Sequence, residues 1–194
     1  MTRKMKQELF EDAVCFATNA HAGMVRKGGN TPYILHPMEV AAIAATMTDD
    51  LEVLMAALLH DVVEDTDHTL YEIERLFGRT VASLVASETE DKKRDLPPSE
   101  SWRVRKEESL ADLERSDRNV KILWLSDKLS NMRSFYRSYL VRGDALWEDF
   151  NQSDPSQQAW YYSSIARLCS ELKEESAWQE YNQLVGVVFK KELT

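Results

Sequence analysis

The sequence predicts an all-α protein, a single domain over residues 1–194 built as a bundle of roughly eight to ten helices around a central cleft. Three observations carry that expectation. Apolar residues recur at three- and four-residue spacing along most of the chain. Only 6 Gly and 5 Pro punctuate 194 residues, so tight turns are few. No segment alternates apolar and polar residues as a half-buried strand would.

Leu9, Ala13, Phe16, Ala17 and Ala20 place a first helix from about Lys6 to Ala22, with Gly23 as its stop. Met24 to Tyr33 is a loop with adjacent cations at Arg26 and Lys27. It reads either as a connector with solvated charges or as an anion-binding loop. Pro37 suits a first helical position, which puts His36 at the helix boundary, as a cap or as a group facing a cleft. Asp49 and Asp50 cap a helix whose apolar positions run from Leu51 to Val62. Thr69 to Glu72 forms a capping box for a short helix closing before Gly78, and Val81, Leu84 and Val85 mark another.

The charged, proline-containing stretch Asp91 to Ser99 is expected to be a long surface loop or lid. Trp102 to Arg115 resumes helix, with Arg103, Arg105 and Lys106 in a first turn where cations oppose the macrodipole. Val120 to Met132 is a strongly buried helix. Gly143 to Ser153 is a second loop, Asp154-Pro155 opens a helix, and Ser176 opens the last. Trp160 and Tyr161 read more readily as core than as pocket walls.

The net charge of −9 speaks against general nucleic-acid binding through a basic surface. No stretch approaches a membrane span, and the N-terminus lacks an apolar signal core. Cys15 and Cys169 are isolated and form no zinc or disulfide pattern, which points to a reducing, cytoplasmic location.

The chemistry gathers in Leu58-Leu-His-Asp-Val-Val-Glu-Asp-Thr66. His60 and Asp61 close an apolar run, and Glu64 and Asp65 follow within one helical turn. Burying four ionisable groups is expensive unless a cation compensates them. His36 and Asp127 are the remaining candidate ligands; Asp127 sits inside the buried helix, where pairing with Lys128 or an arginine is the alternative. Two imidazoles and two carboxylates suit a first-row divalent ion, and without usable thiolates Mn²⁺ or Fe²⁺ fits better than zinc. Such an ion polarises a phosphoryl oxygen and acidifies water, with Glu64 and Asp65 as the adjacent acid/base pair.

At this point the chain resembles the HD-domain phosphohydrolases of the RelA/SpoT alarmone family. The matching motifs are His21-Ala-Gly-Met-Val-Arg-Lys-Gly28, Pro32-Tyr-Ile-Leu-His-Pro37, Ala57 to Thr66, Phe77-Gly78 and Leu125-Ser-Asp-Lys-Leu-Ser-Asn131, in the family's order over about the first two-thirds of the chain. Ser126 stands where the family usually has alanine. The resemblance implies one Mn²⁺ on His36, His60, Asp61 and Asp127, and Glu64 and Asp65 as the catalytic pair. It also implies nucleotide contacts from Arg26, Lys27, Asn131, Ser134 and Lys106. The implied reaction is hydrolysis of the 3′-pyrophosphate of guanosine tetra- or pentaphosphate. A related phosphorylated nucleotide is the alternative, such as an adenosine 3′-pyrophosphate, a nucleoside phosphate or NADPH. The expected partner is a small-molecule nucleotide, with no nucleic acid and no membrane, and a homo-oligomer is left open. In extent the chain resembles the stand-alone small hydrolases of this family.

Overall fold

The computed structural model describes residues 2–27, 29–90 and 97–190. Among these residues it contains ten α-helices and no strand, as expected. They are α1 (Arg3–Ala20), α2 (Leu35–Ala44), α3 (Leu51–Leu59), α4 (Val62–Asp65) and α5 (Leu70–Phe77). There follow α6 (Arg79–Glu88), α7 (Pro98–Arg115), α8 (Arg118–Arg142), α9 (Pro155–Leu168) and α10 (Ser176–Val188).

The organising element is α8. From Ile122 to Asp127 every residue is buried, so this stretch is enclosed on all sides. It packs against α2, α3, α6 and α10. Each fully buried leucine or isoleucine here contributes about 1.5–3 kcal/mol of transfer free energy. One apolar cluster runs from Ala13 to Val188, so the elements that carry the site share a core with the last helix.

Local chemistry sets the helix ends. Asp50 accepts from the Glu52 amide at 3.0 Å, and Thr69 with Glu72 makes a reciprocal capping box. Gly78, at φ 93° and ψ 166°, ends α5 and starts α6 at once, a conformation open only to glycine. Among the described residues no helix is long and apolar enough to cross a membrane.

Several boundaries differ from the sequence reading. α1 starts at Arg3, because Thr2 accepts from the Met5 amide, and ends at Ala20. α2 starts at Leu35, which makes Pro37 its third residue, still in the first turn, and puts His36 inside the helix. The run from Leu51 to Asp65 is two helices: the α-helix pattern lapses at His60 and Asp61 before the one-turn α4. α7 starts at Pro98, where proline needs no amide partner, so Arg103, Arg105 and Lys106 lie beyond its first turn and the macrodipole argument for them lapses. Gly143–Asp149 is 3₁₀ helix rather than loop. Ser176 begins α10 without a capping side chain, Glu175 standing at the cap position. The lid expected over Asp91 to Ser99 falls largely on residues 91–96, outside the described residues.

Candidate metal and nucleotide site

α2, the α3–α4 junction and α8 each bring a candidate metal ligand to one point. His36, His60 and Asp127, all buried, place ligand atoms within 4.8 Å of one another. His36 Nε2 lies 3.0 Å and His60 Nε2 3.6 Å from Asp127 Oδ1. Asp61, at the junction, sets Oδ2 3.1 Å from His60 Nε2 and 3.6 Å from His36 Nε2. The lapse between α3 and α4 turns Asp61 back toward the imidazoles while His60 stays at the end of the buried face.

His36, His60 and Asp127 form a cluster with the donor chemistry of a divalent-cation site, and Asp61 stands beside it as the fourth candidate. The His60 Nδ1 faces the Ala57 carbonyl at 2.9 Å, which assigns its proton to Nδ1 and leaves an Nε2 lone pair. That Nε2 is buried with no aligned hydrogen bond, although carboxylate oxygens lie near it. Lone pairs facing lone pairs at this range repel unless a proton or a cation sits between them. Burial disfavours a charged His60, but the charges of Asp61 and Asp127 outweigh it and hold the imidazole well above its ordinary range. Replacing that proton with a cation satisfies all four groups.

Asp127 makes the expected pair with Lys128, and its other oxygen is turned to the imidazoles. Oδ1 faces the imidazoles and accepts from Asn131 Nδ2 at 2.8 Å, while Oδ2 pairs with the Lys128 ammonium. Lys128 also lies 3.4 Å from Glu88 and over the Trp124 ring.

The expected acid/base pair lies beside the cluster. Glu64, Asp65, Asp61 and Asp127 line one cavity of about 230 Å³ with Glu88, Glu90, Arg105 and Lys106. Asp65 is exposed and accepts from the Tyr33 hydroxyl at 3.1 Å. That hydroxyl has a single proton, shared between Asp65 and Asp61, and its shorter approach, 2.6 Å, is to Asp61. Glu64 is half-buried, with Oε2 3.5 Å from the Glu90 amide.

Arg26 is held over the site by a hairpin-like loop. Its amide donates to Thr31, the Tyr33 amide donates to Met24, and Val25 bridges Pro32. Arg26 donates to Asn131 Oδ1 at 3.1 Å, which completes a chain from Arg26 through Asn131 to Asp127. Lys27 stands 5.0 Å from the Phe150 ring. A second cavity of about 420 Å³ begins here, walled by Tyr33, Trp102, Phe135, Phe150, Tyr161 and Tyr162. Ser134 lines it, and Lys106 lines both cavities. Lys106 Nζ is 2.5 Å from Glu90, which Arg105 also meets at 2.7 Å.

Sequence reasoning missed Glu88, Tyr33, Phe135, Phe150 and Tyr162. For Glu88 a signal existed: it follows Val81, Leu84 and Val85 at the spacing of the buried face. Tyr161, read first as core, is both buried and part of the pocket wall. Trp160 instead stacks under Arg103, whose guanidinium lies 3.4 Å from its ring.

Burial pushes the Glu88 carboxyl up to about 7, with the Lys128 charge pulling the other way. An unfolded glutamate titrates near ~4.3. The folded value is the higher one, so this group's stabilising contribution is full below the unfolded pKa and is lost as pH rises through about 7. In metal-free protein, Glu88→Gln is therefore expected to raise stability at pH 8 by about 1–3 kcal/mol and to leave it unchanged near pH 4. Urea unfolding at the two pH values measures this; an equal shift at both would contradict it.

An all-helical bundle in which two histidines and two aspartates converge from α2, the α3–α4 junction and α8 fits the HD-domain class. Residues 13–143 match the HD domain family model. The chain belongs to the HD-domain family, in the branch that includes the RelA/SpoT-type hydrolases. It is 40% identical over 129 residues to the guanosine-3′,5′-bis(diphosphate) 3′-pyrophosphohydrolase MESH1 of Danio rerio, covering 65% of this chain and 68% of that protein. It is 42% identical over 125 residues to the bifunctional (p)ppGpp synthase/hydrolase SpoT of Escherichia coli, covering 63% of this chain but only 17% of SpoT. Among solved structures it matches a metazoan orthologue of SpoT, described as hydrolysing ppGpp and acting in starvation responses. That match has a TM-score of 0.73 and 26% identity, covering 95% of this chain and 97% of the other.

Proposed function

We propose that this chain hydrolyses the 3′-pyrophosphate of guanosine tetra- or pentaphosphate, yielding pyrophosphate and GDP or GTP. The observation that carries the reading is that two cavities adjoin across a common wall. The acidic cavity beside the metal cluster and the aromatic cavity share Arg26, Tyr33, Lys106, Lys128 and Asn131. A nucleotide with its base among the aromatics would extend a 3′-pyrophosphate past those cations toward the cluster. MESH1 and SpoT carry that activity in their names, which supports the substrate class.

His36, His60, Asp61 and Asp127 would hold the metal. The nitrogen/oxygen donor set favours Mn²⁺, with Fe²⁺ second. A divalent ion in that position supplies Lewis acidity and neutralises phosphate charge. The chain's own groups do the rest. Arg26 and Lys27 bind the nucleotide, and Lys106, freed from Glu90, meets phosphate. Glu64 takes a proton from the attacking water as the water oxygen bonds phosphorus and the P–O bond to the ribose 3′-oxygen breaks, and that proton is then returned to the 3′-oxygen. Asp65, fixed by Tyr33, orients that water. Two cysteines that form no disulfide fit a reducing, cytoplasmic setting.

The test is turnover of a panel of 3′- and 5′-phosphorylated nucleotides with Mn²⁺, products resolved by ³¹P NMR. Pyrophosphate release from guanosine 3′-pyrophosphates is expected to dominate. Orthophosphate release from NADPH or nucleoside phosphates alone would reassign the substrate.

A further inference from the structure

The two candidate histidine ligands are oriented by different means. The His60 Nδ1 faces a backbone carbonyl, which no side-chain substitution removes. The His36 Nδ1 instead faces the Ser130 hydroxyl at 2.8 Å, on the neighbouring helix α8. Ser130 is 1% exposed and its hydroxyl carries a single proton. That proton goes to Glu39 Oε2 at 2.7 Å, because a carboxylate can only accept. The hydroxyl is therefore left to accept from His36, which places the imidazole proton on Nδ1 and the lone pair on Nε2. Nε2 is the atom that faces Asp61 and Asp127.

Glu39 is itself held. Arg133 donates to its Oε1 at 3.1 Å and grips both Glu180 oxygens at 2.6 Å, so the line runs on to α10. A carboxylate behind the hydroxyl also makes the imidazole a better donor toward a cation.

We infer that Ser130 and Glu39 are positioning residues that fix the tautomer of His36 and thereby set the affinity of the metal site. This rests on the metal reading of His36, His60 and Asp127. The substitutions Ser130→Val and Ser130→Thr add the same volume and differ only in the hydroxyl. Mn²⁺ binding, followed by electron paramagnetic resonance on each purified protein, is the measurement, with thermal melting of the metal-free forms alongside. Ser130→Val is expected to weaken Mn²⁺ binding by about 10–100-fold and Ser130→Thr to stay within about threefold of the parent. Glu39→Ala is expected to resemble Ser130→Val. Glu39→Gln, which keeps an acceptor, is expected to fall between. Equal Mn²⁺ affinity in the parent, Ser130→Val and Glu39→Ala proteins overturns the relay and leaves the metal site standing. Equal losses in the valine and threonine proteins show a packing effect and overturn it too. A parent protein that binds no Mn²⁺ removes the metal reading and the relay together.

Discussion

Asp127→Asn is expected to abolish tight divalent-metal binding and lower hydrolysis on the order of 10³-fold or more, while leaving a folded protein. The reason lies in the two oxygens of this side chain. Oδ1 faces both imidazoles and Oδ2 is paired with Lys128. Burial opposes a charged Asp127, yet the Lys128 ammonium and the two histidines hold its carboxyl well below the usual range, so it is a carboxylate at neutral pH. Asparagine keeps the shape and an oxygen for Lys128 or for the cluster, but removes the charge that a cation requires. Alanine is the poorer test, because breaking a buried pair costs about 3–5 kcal/mol and leaves Lys128 leaning on Glu88 alone. Calorimetric Mn²⁺ titration, circular dichroism melting and single-turnover hydrolysis separate the terms. A folded Asp127→Asn protein with undiminished metal affinity and turnover would sink the assignment of Asp127 as a ligand.

Much of this arrangement was legible because buried charge in an apolar helix has few explanations. His60 and Asp61 end a run with no polar residue from Val53 to Leu59, and Asp127 sits among buried Leu125 and Leu129. Those contrasts are properties of the sequence itself. Helix starts were harder. His36 and Pro37 read as a boundary because proline is common at a first helical position, yet tertiary packing starts α2 at Leu35 and buries both residues. The pocket walls were harder still. Phe135, Phe150 and Tyr162 come from α8, a 3₁₀ segment's end and α9, and nothing local tells a core aromatic from one whose edge meets a cavity. The Ser130 relay depends on a hydroxyl meeting a carboxylate 91 residues earlier. Only the packing of α2 on α8 makes that contact.

Glu64→Gln and Arg26→Ala should separate chemistry from binding. Glu64 lines the acidic cavity, half-buried and one turn from His60, whereas Asp65 accepts from the Tyr33 hydroxyl. In the proposed mechanism Glu64 abstracts the proton and Asp65 orients the water. Glutamine at 64 keeps the volume and loses the base, so kcat should fall by about 10²–10⁴-fold with KM changed little. Arg26 lines both cavities and meets the cluster through Asn131, with the Tyr33 ring 5.7 Å away. Its removal costs the nucleotide a charged, stacking partner, so KM should rise about tenfold or more. A small loss in kcat should accompany it, because Asn131 Oδ1 loses its donor while Nδ2 still meets Asp127. Arg26→Lys keeps the charge and loses the planar fork, and should recover part of the binding but none of the stacking. Steady-state kinetics on guanosine tetraphosphate decide between these roles. If Glu64→Gln raised KM with kcat intact, or Arg26→Ala lowered kcat with KM intact, the division of labour would have to be reversed.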